Sequence, residues 1–143
     1  MILGVDTDVL VHWTFEDAPR HEACRNLLRR QVESDGFLGI TPQTLFELVH
    51  VVTDSRRFEH PLTMREALQL ARTLWNSRDV HRIEPGPQLL GRTLAFLESM
   101  QLGRKRILDT ALAVTLEQAG VRRLATLNER DFRAFAFLEV VTP

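Results

Sequence analysis

The chain has one cysteine, Cys24, and one lysine, Lys105, in 143 residues. A lone thiol excludes an intrachain disulfide, which suits a reducing compartment. It also excludes a thiolate-rich zinc site, and Cys24 reads as a small apolar packing residue. No stretch approaches the run of about 20 apolar residues needed to span a bilayer. The N-terminus lacks the basic region, apolar run and cleavage site of a secretory signal. The expected location is therefore the cytoplasm, with no membrane contact. The other seventeen of the eighteen basic side chains are arginines. Their planar forks suit phosphate and carboxylate recognition, although genome base composition produces the same enrichment. A net charge of −1 excludes a protein coated in basic charge for non-specific nucleic-acid binding. Any polyanion site has to be a local patch. Repeats, low-complexity tracts and linkers are also missing, so residues 1–143 read as one domain with a real core.

What is present is an alternation of short apolar runs and amphipathic segments. "MILGV" reads as a strand, followed by a brief helix from near Asp8 to Phe15. Residues 20–34 carry a helical stripe of Ala23, Leu27, Leu28 and Val32. "GFLGI" is a second strand. Thr41 or Pro42 opens a helix expected to reach about Arg57. Thr63 and Glu66 have the spacing of a capping box, which starts a helix ending near Asn76. "DVHRIE" is a strand stopped by "PGP". Residues 87–101 are helical up to Gly103, and a further helix runs from about Ile107 to Ala119, stopped by Gly120. "RRLATL" is a strand, 128–135 a short helical segment, and "FLEVV" a final strand. Strands separated by helices imply right-handed crossovers and a parallel sheet covered on both faces. Ligands of such sheets bind beyond the carboxyl ends of the strands.

Acidic residues recur at those positions. Asp6 ends the first strand, and Asp8 follows two residues later. Helix capping explains either one, but a single helix start needs only one cap. Asp109 shares its helical face with Leu112, Ala113 and Leu116, which places a carboxylate on an inward-facing stripe. Left alone there, it would take up a proton. Glu47 lies opposite the core stripe of Leu45, Leu48, Val49 and Val52, together with Gln43, His50 and Asp54. Periodicity alone makes that face solvated; a functional role requires it to border a cleft. After Thr126 come Asn128, Glu129 and Asp131, where capping by Asn128 competes with a ligand role. Clustered carboxylates repel one another, and magnesium or manganese relieves that repulsion, since both prefer oxygen ligands.

The ordered set "VDTDVLV", "FELV", "LDTALAVTLEQAG" and "LATLNERDF" resembles the PIN-domain ribonucleases, particularly the VapC-type toxins of bacterial toxin–antitoxin pairs. The likeness covers essentially the whole chain. It implies a single PIN-like domain over residues 1–143, a three-layer α/β/α sandwich around a mainly parallel sheet. It implies endonuclease cleavage of RNA dependent on Mg2+ or Mn2+, leaving a 5′-phosphate and a 3′-hydroxyl. Carried over by position, Asp6, Glu47, Asp109 and Asp131 form the acidic quartet. The three aspartates then hold metal, and Glu47 orients or deprotonates the attacking water. Thr7, Thr126 and Asn128 are supporting polar groups, and Asn128 competes with Asp131 for the last ligand position. The family commonly has asparagine or serine where Asp8 stands, so Asp8 either adds a ligand or caps a helix. Arg104, Lys105 and Arg106, just ahead of the Asp109 helix, are candidate contacts to the RNA backbone; a solvated loop is the alternative. The resemblance also implies a small antitoxin that inserts into the acidic cleft, and a homodimer.

Two rivals stand beside this reading. "VDTDVLV" also resembles the first motif of haloacid-dehalogenase-type phosphatases, with Asp6 as nucleophile. That family needs a lysine, for which only Lys105 is available, and a late acidic pair that the chain lacks. A non-catalytic binding module would instead use the acidic cleft to receive basic residues of a partner.

Overall fold

Alternate residues of the first strand, Ile2–Val5 (β1), face opposite sides of a sheet, with Leu3 and Val5 in one core and Gly4 toward the other. The computed structural model describes residues 1–143. The chain continues through α1 (Thr7–Thr14), α2 (His21–Glu33), β2 (Phe37–Ile40), α3 (Pro42–Val52), α4 (Met64–Trp75) and β3 (Val80–Arg82). Then come α5 (Leu89–Ser99), a 3-10 turn (Arg104–Arg106), α6 (Ile107–Gln118), β4 (Arg123–Ala125), α7 (Glu129–Phe132) and β5 (Glu139–Val141). The five strands form one sheet in the order β3-β2-β1-β4-β5, and every neighbouring pair is parallel. The expected three-layer α/β/α architecture with a parallel sheet is the one observed.

One core lies on the α1–α4 side, where Val9, Leu10, Leu28 and Leu48 pack on Leu3 and Ile40. The second lies under α5, α6 and α7, where Leu112 and Leu116 meet Leu124, Phe132 and Phe135. Glycines admit this second layer closely. Gly4 and Gly39 pair across β1 and β2. A Cβ on Gly39 would stand 2.7 Å from Ile83 Cδ1 and 2.8 Å from Ile2 Cγ2.

Helix ends follow local chemistry. Thr41 Oγ1 accepts the Thr44 N–H at 3.1 Å to cap α3, and Thr63 Oγ1 accepts that of Glu66 at 3.1 Å to cap α4. Helix α3 stops at Val52, five residues short of the expected Arg57. The Thr53 hydroxyl turns back to the Val49 carbonyl, and Asp54 Oδ1 accepts the Arg56 N–H at 2.9 Å, closing a turn in place of a further helical one. Helix α5 also ends early. Gln101, not Gly103, takes the left-handed conformation (φ 52°), and Leu102 N–H bonds the Leu97 carbonyl. In α2 the most buried positions are Cys24, Leu28 and Gln31, while Ala23, Leu27 and Val32 are half-buried. Gln31 earns its place by donating to the Met1 carbonyl at 3.0 Å, which ties α2 to the start of β1.

The tight approach over β2 sets one expected outcome. Gly39→Ala forces Ile2 or Ile83 off its present position and lowers stability by about 1–3 kcal/mol, the usual cost of overpacking. Urea unfolding followed by circular dichroism reads this directly; an unchanged midpoint would mean that the layer has slack.

Candidate active site

The chain leaves β1 and moves outward through β2 and β3, then returns to place β4 on the other flank of β1. The crevice at the carboxyl ends of β1 and β4 is therefore the topological switch point of the sheet. Asp6 follows β1 and Thr126 follows β4. The Thr126 hydroxyl donates to Asp6 Oδ2 at 2.8 Å, and the Thr7 N–H donates to Asp6 Oδ1 at 2.8 Å. Asp6 thus occupies the cap position of α1. Thr126 Oγ1 also accepts the Asn128 N–H at 3.0 Å, which fixes the turn after β4.

A cleft of about 250 Å³ opens here, lined by Asp6, Thr7, Asp8, Glu47, Asp109 and Asn128. Glu47 reaches it because α3 packs beside α1. The Thr7 hydroxyl donates to Glu47 Oε2 at 3.0 Å, and Gln43 Nε2 donates to Glu47 Oε1 at 3.0 Å and to the Leu108 carbonyl at 2.9 Å. The polar face of α3 therefore borders the cleft at Glu47, while His50 remains exposed outside it. Asp109 enters from the first turn of α6. Asp8 does not cap α1. Its Oδ2 accepts the Leu127 N–H at 3.2 Å, and its Oδ1 is buried without any hydrogen-bond partner.

Asp131 stands behind this group and does not line the cleft. Its carboxylate is ion-paired with Arg106 and accepts from Asn128 Nδ2 at 2.5 Å, and Arg106 Nη2 also donates to the Asp131 carbonyl at 2.8 Å. Of the two residues competing for the last position, Asn128 lines the cleft and Asp131 does not, although the Asp131 charge acts on Asp109. Arg106 is accordingly half-buried with its charge matched, which sets it apart from the exposed Arg104 and Lys105. Lys105, the only lysine available to a haloacid-dehalogenase-type phosphatase, does not line the cleft. Besides Val11 and Val51, two polar lining residues were missed in the sequence, His12 and Arg57. His12 stands one helical turn past Asp8, an i,i+4 spacing that was readable; Arg57 was hidden by extending α3 through it.

The electrostatics show what the cleft requires. Burial and the neighbouring Asp8 charge push the Asp6 carboxyl up to about 7, against the pull of the Thr126 and Thr7 hydrogen bonds. Burial raises Asp8 too. Burial and the Asp131 charge bring Asp109 up to about 6, with Glu47 and Asp8 adding to the rise and Arg106 opposing it. No three of the acids are preassembled into a chelating set. Their chemistry nonetheless fits a hard divalent cation: an oxygen-only donor set, mutual repulsion, and a buried Asp8 oxygen that nothing satisfies.

Fold and site together define a parallel α/β protein with a carboxylate-walled, cation-seeking crevice at its switch point. The chain belongs to the PIN-domain family, whose model matches residues 4–138. It is 28% identical to ribonuclease VapC24 of Mycobacterium tuberculosis over 144 aligned positions, covering 99% of this chain and 97% of that protein. It is 33% identical to ribonuclease VapC43 of the same organism over 85 positions, covering 59% of this chain and 58% of that protein. The fold matches that in the crystal structure of VapBC2 from Rickettsia felis bound to a promoter DNA fragment, with a TM-score of 0.69 at 16% identity, covering 100% of this chain and 99% of that one. It also matches VapC20 of Mycobacterium tuberculosis, described as a sarcin–ricin loop cleaving toxin, with a TM-score of 0.60 at 17% identity over 87% of both chains.

The raised carboxyl groups set the sign of a pH dependence. In the unfolded chain these groups ionise near 3.8, whereas in the fold Asp6 ionises only near 7 and Asp109 near 6. Their contribution to stability is fully present below the unfolded value and is lost as pH rises through the folded ones. In chelator, unfolding free energy should drop by roughly 2 kcal/mol between pH 5 and pH 8, mostly through Asp6, since solvent screens the half-exposed Asp109. Asp6→Asn should remove most of that drop, and Mn2+ at pH 8 should reverse it in the unsubstituted chain. A flat profile in chelator would contradict the electrostatic account.

Proposed function

We propose that the chain is a divalent-metal-dependent endoribonuclease and the toxin of a toxin–antitoxin pair. The observation carrying this reading is the convergence of Asp6, Asp8, Glu47 and Asp109, drawn from three separate stretches of sequence, on one cleft. Membership of the PIN family and the named ribonuclease relatives support it.

Mg2+ or Mn2+, when bound, supplies Lewis-acid chemistry: polarising the scissile phosphodiester, lowering the pKa of water and stabilising the leaving oxygen. Asp6, Asp109 and the unsatisfied Asp8 oxygen would hold the ion. Glu47, with one carboxylate oxygen on Thr7 and the other on Gln43, is aimed into the cleft and takes a proton from the attacking water. Asp131 acts at one remove: it fixes Asn128 and Arg106, and its charge adds to the proton affinity of Asp109. Thr126 orients Asp6 through their hydrogen bond. Arg104 and Lys105, exposed ahead of α6, contact flanking RNA phosphates. A toxin acting on cellular RNA works in the cytoplasm.

The likeness to the VapBC2 complex supports a cognate antitoxin as partner; the acidic cleft is the site we assign to that contact. Exposed Phe46 on α3 and Leu68 on α4 line an apolar groove together with Leu45, Val49 and Trp75. This face serves self-association into a homodimer.

The deciding experiment incubates the purified chain with total cellular RNA, with and without Mn2+, and maps the ends produced. Cleavage that requires the metal and leaves 5′-phosphates is expected from the unsubstituted chain. Asp109→Asn should abolish it while the circular dichroism spectrum persists. Absence of cleavage by the unsubstituted chain sinks the nuclease reading, and full activity in Asp109→Asn sinks the site assignment.

A further inference from the structure

The acidic cleft has one cationic end. Helices α1 and α3 run alongside each other, with Thr7 against Glu47 at one level and Val11 and Val51 lining the cleft a turn further on. Beyond the carboxylates along this trench stand His12 and Arg57. His12 lies four residues after Asp8 on α1, about 6 Å further along the axis. Arg57 is exposed and enters no ion pair; its neighbour Arg56 pairs with Asp54, whereas Arg57 stacks over Phe58 at 5.9 Å.

The hydrogen bonding of His12 fixes its chemical face. Its Nδ1 accepts the Arg20 N–H at 3.2 Å, so in the neutral ring the proton sits on Nε2. Burial holds the imidazole below its ordinary pKa, with the Arg20 and Arg57 charges adding to this and Asp8 opposing it. His12 therefore presents an N–H donor and no metal-binding lone pair. An uncommitted guanidinium beside a fixed imidazole donor is a phosphate-binding pair. In a trench whose other charged lining residues are all acids, it gives an RNA strand a place to hold on next to the reacting phosphate.

We propose that His12 and Arg57 form a substrate subsite that grips the RNA phosphate neighbouring the scissile one, and so set where the strand lies across the carboxylates. This rests on the ribonuclease reading above. An acidic segment of a protein partner offers similar oxygens. RNA is favoured because the pair is continuous with the cleft that holds the reacting phosphate.

The test uses a labelled oligonucleotide spanning the fastest cut site found in total RNA, with Mn2+ and a series of salt concentrations. Arg57→Gln should raise KM about tenfold, the loss of one charge-assisted hydrogen bond. Its kcat should stay within about twofold, the pattern of lost uniform binding. The slope of log KM against log salt should flatten by about 0.7, the value for one phosphate contact on a single strand. His12→Asn keeps an acceptor for the Arg20 N–H but lacks the distal donor, so it should raise KM. His12→Gln carries an amide N–H near the Nε2 position and should recover most of that loss. Melting curves check that all three variants are folded. If the unsubstituted chain cuts while KM and salt slope are unchanged in Arg57→Gln and His12→Asn, the subsite is overturned and the nuclease reading survives. Unchanged RNA kinetics with a weakened complex with the cognate antitoxin assigns the pair to the protein partner, and also overturns the proposal. If the unsubstituted chain cuts no RNA, both readings fall.

Discussion

Across the gap between the ends of β1 and β4, the Thr126 hydroxyl meets Asp6 Oδ2. This bond joins residues 120 positions apart, and most of the site is arranged around it. It fixes one oxygen of Asp6 while the Thr7 N–H fixes the other, so the first acid has a single orientation. From Thr126 the turn to Asn128 is set, and from Thr7 the chain reaches Glu47. Substituting Thr126 with an apolar residue would leave a buried Asp6 oxygen without its donor, in surroundings that already disfavour its charge.

The constraint is a balance between gathering acids and keeping them ionised. Burial acts on Asp6, Asp8 and Asp109 together, and the Asp8 charge raises the proton affinity of both Asp6 and Asp109. Hydrogen bonds from Thr126, Thr7 and Leu127 offset part of this, and one oxygen of Asp8 is left with nothing. An asparagine at position 8 could accept the Leu127 N–H as well. What the aspartate adds is charge, and a cleft facing a divalent cation has a use for it.

Much of this was readable in the sequence where the signal is local. Short apolar runs between amphipathic segments gave the order of strands and helices. Asp109 declared itself by sharing a face with Leu112, Ala113 and Leu116, all of them buried. Other features depend on partners distant in the chain. Nothing near Asp131 announces that Arg106, 25 residues earlier, takes its carboxylate. The polar face of α3 looked solvated because its neighbour is α1, brought alongside by the sheet. The end of α3 was misjudged because Thr53 and Asp54 are tolerable in a helix yet close a turn when their side chains bond backbone. That error concealed Arg57.

The first turns of α1, α3 and α6 meet at one rim of the sheet, where Asp6, Gln43 and Asp109 stand together. Their aligned peptide dipoles bring partial positive charge, roughly half an elementary charge per helix, to that rim. The acids are thus embedded in a backbone field of opposite sign, one that no side-chain substitution removes. A divalent cation in the crevice has less negative charge to neutralise than the number of carboxylates suggests.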